Sequence, residues 1–114
     1  MVRILLLQVD RNLADQLGFV LAKDRHEIIE ADQLAAAPAH TDVIFAGGDG
    51  GTYKKHLLDA LRQRPHVPFV VVTRLPETEQ WLNALEEGAT DYCAAPFEPR
   101  QMRWLIDSVL RRAA

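Results

Sequence analysis

The residues of this chain that are best placed for chemistry lie at the ends of four short apolar runs. These positions are Gln8-Val9, Ala46-Gly47, Thr73-Arg74 and Ala95-Pro96. Because the carboxyl ends of parallel strands meet at one edge of a sheet, such a fold places its ligands and reactive groups there. Of these side chains, only the hydroxyl of Thr73 could serve phosphate chemistry. The sequence therefore predicts a well-formed edge with few reactive groups.

Composition and charge indicate a single globular domain. The 114 residues are 48% hydrophobic and 25% charged, with a net charge of -3. We expect one domain over residues 1–114, either as a separate protein or excised from a longer one. The negative charge makes direct nucleic-acid binding unexpected. No apolar run has the length of a membrane span, so no membrane role is expected. The single Cys93 cannot form an internal disulfide, which favours a cytoplasmic location.

Strand and helix patterns alternate along the chain. Apolar runs predict five strands, at residues 3–8, 26–30, 42–46, 68–73 and 91–94. Apolar stripes of helical spacing predict helices at 12–21, 53–61, 77–87 and from 99 onward, with at most a short helix at 32–38. Gly88 is suited to end one helix and Pro99 to begin another. The alternation predicts an α/β fold with a parallel sheet and helices on both faces.

One segment is similar to a known family. The residues from Gly88 to Phe97, GATDYCAAPF, resemble the GADDYLxKPF segment of CheY-like receiver domains of response regulators. The runs at 68–73 and 3–7 resemble the fourth and first strands of that family, so the resemblance extends over essentially the whole chain. It implies a flavodoxin-like, doubly wound five-stranded sheet of order 2-1-3-4-5. It also implies a cis peptide bond between Ala95 and Pro96.

The residues that perform receiver chemistry are replaced in this chain. Receivers accept a phosphoryl group on an aspartate after strand three, bind Mg²⁺ through an acidic pair after strand one, and carry a lysine after strand five. The resemblance puts the acidic pair on Gln8 and Val9, the acceptor on Gly47 (or Ala46), and the lysine on Ala95. Valine cannot ligate Mg²⁺, and glycine has no nucleophile. The resemblance thus implies a degenerate receiver, a pseudo-receiver, that is not an enzyme and needs no Mg²⁺ or other cofactor.

Three charged residues near this degenerate phosphorylation pocket could have roles of their own. Asp10 lies one residue beyond the acidic pair, and Arg74 follows Thr73 where receivers usually have a small residue. The Arg74 guanidinium could fill the cleft, pair with Asp10 or Asp49, or bind an anion. Asp49 is the remaining candidate for an unconventional phospho-acceptor. The alternative is a turn aspartate that hydrogen-bonds to its local backbone, as Asp beside Gly usually does.

The same glycine-rich loop supports an alternative function. Residues 42–52, DVIFAGGDGGT, are similar to the strand and GGDGT loop of diacylglycerol-kinase and NAD-kinase families. Glycine amides in such loops can bind nucleotide phosphates. An extra glycine interrupts the motif here, and the chain lacks the second domain of those enzymes. A nucleotide-phosphate-binding domain that uses the GGDGG loop therefore remains the alternative.

The remaining reactive residue types indicate no second site. The histidines at 26, 40, 56 and 66 lack metal-ligand spacing, which favours surface or loop roles. Cys93 lies in a predicted buried strand, where thiols are usually inert.

An exposed tryptophan predicts a binding surface. Trp104 projects nearly opposite the apolar stripe of the last helix, and tryptophan is enriched at interface anchors. Trp81 and Tyr92 fall on the face formed by the helix after strand four, strand five and the last helix. This is the usual face for dimerisation and output in the family, although partial core packing would also explain these two residues. We expect a phosphorylation-independent module of two-component signalling that binds a protein partner or a second copy through this face.

Overall fold

The computed structural model describes residues 2–48, 53–74 and 78–113. The strands are β1 (Arg3–Leu7), β2 (Glu27–Ala31), β3 (Val43–Gly47), β4 (Phe69–Thr73) and β5 (Asp91–Ala94). The α-helices in these ranges are α1 (Arg11–Ala22), α2 (Tyr53–Gln63), α3 (Thr78–Glu86) and α4 (Pro99–Ala113), and a 3-10 turn, η1, covers Leu34–Ala36. No helix in the described ranges is long and apolar enough to cross a membrane.

All strand pairs are parallel, and the sheet order is β2-β1-β3-β4-β5, which confirms the predicted fold class. Alternate residues of each strand face opposite sides of the sheet. Ile4 and Leu6 pack in one core with α1 and α4, whereas Leu5 and Leu7 pack in the other with η1, α2 and α3. The carboxyl ends of all five strands therefore lie at one edge, where the predicted pocket residues follow them.

Local signals fix the ends of the helices. The Asp10 side chain accepts hydrogen bonds from the backbone N–H groups of Asn12 and Leu13, which caps α1. The Glu98 carboxylate accepts from the Arg100 and Gln101 N–H groups in the same way, so α4 begins at Pro99 as predicted. Gly88 has a φ of 114°, which confirms its predicted role after α3. The Ala95-Pro96 peptide bond is cis, as the resemblance implied.

The connection between β2 and β3 contains little helix. The alanine-rich segment forms the three-residue 3-10 turn η1, which agrees with the prediction of at most a short helix. Gln33 provides no side-chain cap for this turn, and Leu34 is its buried residue. Without a cap or an apolar stripe, a longer helix would not be stable here. Pro38 also prevents the helix from continuing.

Candidate functional site

The structure brings the predicted pocket residues together at the carboxyl edge of the sheet. Gly47 pairs in register with Val72, one residue before Thr73. The backbone N–H of Ala95 donates to the Thr73 carbonyl at 2.9 Å, and the Gln8 N–H donates to the Ala31 carbonyl at 2.8 Å. The Thr73 side chain is buried. The site predicted from the sequence is therefore one continuous piece of structure.

The backbone of Gln8 lies directly against Gly47, the residue on which the resemblance puts the acceptor. Gln8 leaves β1 with a φ of 49°, so β1 is one residue shorter than predicted. A Cβ atom added to Gly47 would lie 2.7 Å from the Gln8 carbonyl oxygen and 3.5 Å from the Val9 Cα. Carbon and carbonyl oxygen atoms that are not bonded to each other do not approach so closely without displacement. A side chain at position 47 therefore has no room to begin.

The side chain of Gln8 contacts the imidazole of His56. The imidazole Nε2 lies 2.5 Å from the Gln8 Oε1, and His56 is only 7% exposed. Burial lowers the pKa of His56, which favours a neutral ring that donates its Nε2 hydrogen to the amide oxygen. The prediction of a surface or loop role was therefore wrong for His56. It lies on the inward stripe of α2 with Tyr53, Leu57 and Ala60.

Replacing His56 with glutamine should flatten the pH dependence of stability on the acid side of neutrality. A depressed folded-state pKa means that the unfolded chain binds the proton first, so stability is full above about pH 6.5 and falls as the pH drops below it. The loss is limited to about 1.4 kcal/mol per pH unit for one proton. Urea unfolding of both proteins at several pH values from 5 to 8 measures it.

The exposed His66 provides the control, because His66→Gln makes the same substitution outside the buried stripe of α2. Parallel curves for the wild-type protein and His56→Gln would contradict the burial of a neutral imidazole.

Arg74 and Asp10 form an ion pair across the edge. The Arg74 guanidinium donates to the same Asp10 oxygen that caps α1, which confirms one of the arrangements considered for Arg74. The guanidinium lowers the pKa of the Asp10 carboxyl, with smaller contributions from the Leu13 and Asn12 amides. Both side chains are about half exposed. The pair joins the loop after β4 to the start of α1.

The residues at the edge do not fit a Mg²⁺ ion, the cation that the fold family implies. Mg²⁺ is bound through carboxylates and needs near-ideal octahedral geometry. Val9 packs against the apolar core, Gln8 is neutral, and the Asp10 carboxylate is committed to the helix cap and to Arg74. Within the described ranges, no group of three or more His, Cys, Asp or Glu side chains is arranged around a common metal position.

Two sequence predictions concern residues that the structure does not describe. Asp49, the candidate for an unconventional acceptor, lies outside the described residues, as do the last three residues of the GGDGGT loop. Gly48 is the last described residue before them, and its N–H donates to the Val72 carbonyl at 2.7 Å.

The predicted binding surface, which we name the α3–β5–α4 face, carries exposed aromatic side chains. Trp104 is 65% exposed and lies opposite the buried residues Leu105, Ile106 and Val109, as predicted. Trp81 on α3 is 44% exposed. A groove of about 370 Å³ runs between β5 and α4 beside Trp104, and Tyr92 also lines it.

Tyr92 is half-buried and connects this face to the edge of the sheet. Its hydroxyl donates to the Gln80 Oε1 at 2.8 Å, and the Gln80 Nε2 donates to the Gly48 carbonyl at 3.0 Å. Tyr92 is therefore both partly packed in the core and part of the groove on the α3–β5–α4 face. The neighbouring Cys93 is also half-buried, and burial raises the pKa of its thiol to about 12, so the reactive thiolate is absent at neutral pH.

Comparison with known proteins finds response regulators. The chain is 32% identical to the response regulator protein FleR of Pseudomonas aeruginosa over 97% of the chain and 24% of FleR. It is 29% identical to the phosphate regulon transcriptional regulatory protein PhoB of Escherichia coli, over 96% of the chain and 52% of PhoB. The chain thus spans about a quarter to a half of these relatives. No family model matches it.

Solved structures show the same fold. A two-component response regulator from Clostridium difficile superposes with a TM-score of 0.80, at 23% identity and over 98% of both chains. The homologues of the chain are therefore response regulators, and its fold is that of their receiver domains.

Proposed function

We propose that this chain is a degenerate receiver domain, a non-enzymatic module that binds a protein partner in two-component signalling without being phosphorylated. The observation that carries this proposal is the closed acceptor position. The Gln8 carbonyl occupies the space in which a side chain at position 47 would have to begin. An acceptor can therefore not be accommodated there in the folded conformation.

The other replacements around the edge support the same function. A phosphoryl group and its metal ion require several positive and negative groups in fixed positions. Here Val9 and Ala95 are apolar and pack against the core, and Arg74 and Asp10 pair with each other. Among the described pocket residues, these two opposite charges therefore neutralise each other without metal or phosphate. We infer that the domain does not use Mg²⁺ as a cofactor and that the domain holds one conformation until a partner binds.

Phosphoryl-transfer reagents should therefore leave the domain unchanged. We expect the melting temperature to be the same with and without millimolar MgCl₂ and beryllofluoride, and the intact mass to be unchanged after incubation with acetyl phosphate and MgCl₂. A receiver domain that retains the acidic pair, treated in parallel, controls for the reagents.

A gain of one phosphoryl mass would contradict the proposal. If Asp49→Asn abolished that gain, the domain would be a receiver that uses an unconventional acceptor. If it did not, the acceptor would lie elsewhere.

The α3–β5–α4 face is where we place the partner. Four of the seven exposed large hydrophobic side chains of the described residues lie on α3 and α4, namely Trp81, Leu82, Leu85 and Trp104. Exposed apolar side chains concentrated on one part of a surface mark an interaction site, and tryptophan is a frequent anchor there. The partner is a protein, either a second copy of this chain or another component of the pathway. Direct binding of nucleic acid or membrane is not part of the proposed function, and we place the domain in the cytoplasm.

A further inference from the structure

The short connection between β2 and β3 leaves a large cleft. The other crossovers carry helices α1, α2 and α3 of 12, 11 and 9 residues, whereas this one carries the three-residue turn η1. Between η1 and α2 lies a cleft of about 960 Å³ that reaches Gln8 at the end of β1. Its volume lies within the range of about 300–1,000 Å³ that is typical of small-molecule sites. It is also close to the point between β1 and β3 where the strand order reverses, the usual ligand position in such sheets.

The rim of the cleft carries charges of both signs. Lys54 and Lys55 contribute two positive charges, and Asp32 and Asp59 contribute two negative charges. Lys54 approaches Glu87 at 3.9 Å. Across the part of the chain that the structure describes, Asp32, Lys55 and Asp59 make no ion pair and no side-chain hydrogen bond. Among the described residues the lining is therefore neutral in sum, and three of its four charges, those of Asp32, Lys55 and Asp59, have no ionic partner.

Neutral hydrogen-bonding groups complete the lining. The Gln8–His56 pair lies at the base, and Gln33 and Gln63 contribute amides. The same Gln8 closes the acceptor position at Gly47 through its backbone carbonyl. A molecule bound in the cleft would therefore contact the residue that shapes the edge of the sheet.

We propose that this cleft binds a small zwitterion of the α-amino-acid class, with its carboxylate toward Lys54 and Lys55 and its ammonium group toward Asp32 and Asp59. A polyanion such as a nucleotide would bring its phosphates close to the Asp32 and Asp59 carboxylates, which would repel them. An uncharged ligand would leave the charges of Asp32, Lys55 and Asp59 without an ionic partner. A zwitterion complements both signs. The binding does not depend on the absence of phosphorylation, so each can be tested without the other.

The test uses the common L-amino acids as individual probes on the whole chain. Saturation-transfer NMR at about 10 mM detects ligands that bind with a millimolar Kd. We expect at least one amino acid to bind. Its N-acetyl derivative and its methyl ester, which each lack one charge, should bind about tenfold more weakly, because each loses one charged contact. ATP should bind more weakly than the amino acid.

Two pairs of variants show where the ligand binds. Asp59→Asn and Lys55→Gln should each weaken binding about tenfold in titrations followed by amide chemical shifts. Arg62→Gln on α2 and Glu86→Gln on α3 do not line the cleft and should bind with the wild-type affinity. The absence of binding by every amino acid, preferential binding of ATP, or unchanged affinity in Asp59→Asn and Lys55→Gln would each overturn the proposal. An effect on the Gly47 amide resonance upon binding would support contact through Gln8.

Discussion

Replacing Gly47 with alanine should destabilise the domain by about 1–3 kcal/mol, although the change adds only one methyl group. The new Cβ atom would lie 2.7 Å from the Gln8 carbonyl oxygen, which belongs to the backbone and cannot rotate away. Gln8 is itself held by its N–H bond to the Ala31 carbonyl and by the contact of its side chain with His56. The clash can therefore be relieved only by moving the loop after β1. Urea unfolding at neutral pH measures the loss.

A glycine in open surroundings provides the matched control. A Cβ atom at Gly18, in the middle of α1, would meet nothing within 4 Å. Gly18→Ala should therefore stabilise the domain by about 0.5–1 kcal/mol, because alanine loses less conformational freedom in a helix than glycine does. The same substitution thus has opposite signs at the two positions. A neutral or stabilising Gly47→Ala would mean that position 47 has room for a side chain, and the proposed loss of phosphorylation would lose its main support.

Most of the fold could be predicted because its signals are local and strong. Each strand is a short apolar run, and each of the four α-helices has an apolar stripe or a recognisable end. Gly88 and the Ala95-Pro96 bond both lie in the segment from Gly88 to Phe97. Gly88 has the positive φ of a residue that ends a helix, and the Ala95-Pro96 bond is cis, as expected. Parallel order then follows from right-handed crossovers between successive strands. Strand ends moved by one residue because they depend on the pairing register, which a single strand does not specify.

The decisive details of the site could be predicted only in part. The residue types at Gly47, Val9 and Ala95 were sufficient to predict the loss of the acceptor, the metal ligands and the lysine, which stays a prediction. The left-handed conformation of Gln8 could not be predicted in this way, because glutamine has no preference for a positive φ and adopts it through contacts with distant residues. The burial of His56 could have been found from the sequence, since it continues the inward stripe of α2.

The α3–β5–α4 face is connected to the edge of the sheet in a way that suits a partner-driven switch. Tyr92 and Gln80 link β5 through α3 to the backbone of Gly48, which is adjacent to the closed position at Gly47. A partner that changes the position of Tyr92 would thus act on the backbone of Gly48 at the edge of the sheet. Such a change requires that the partner binds two arrangements with different affinity.

Replacing Trp104 with glutamate should weaken association through this face by at least about 30-fold, the effect of removing an interface anchor worth about 2 kcal/mol. The indole is 65% exposed in the isolated domain, so the melting temperature should change little. Sedimentation equilibrium measures self-association, and titration calorimetry with the histidine kinase encoded nearest to this chain measures binding to another protein.

Phe19→Glu is the control for a nonspecific effect of charge. Phe19 is 70% exposed, much like Trp104, but it lies on α1, outside the α3–β5–α4 face. Phe19→Glu introduces the same charge at a similarly exposed aromatic position. This variant should leave association unchanged. Equal losses in both variants would indicate a general charge effect rather than a defined surface. A wild-type monomer whose binding to the kinase is unaffected by Trp104→Glu would remove this face from the proposed function, whereas the closed acceptor position at Gly47 would stand independently of that result.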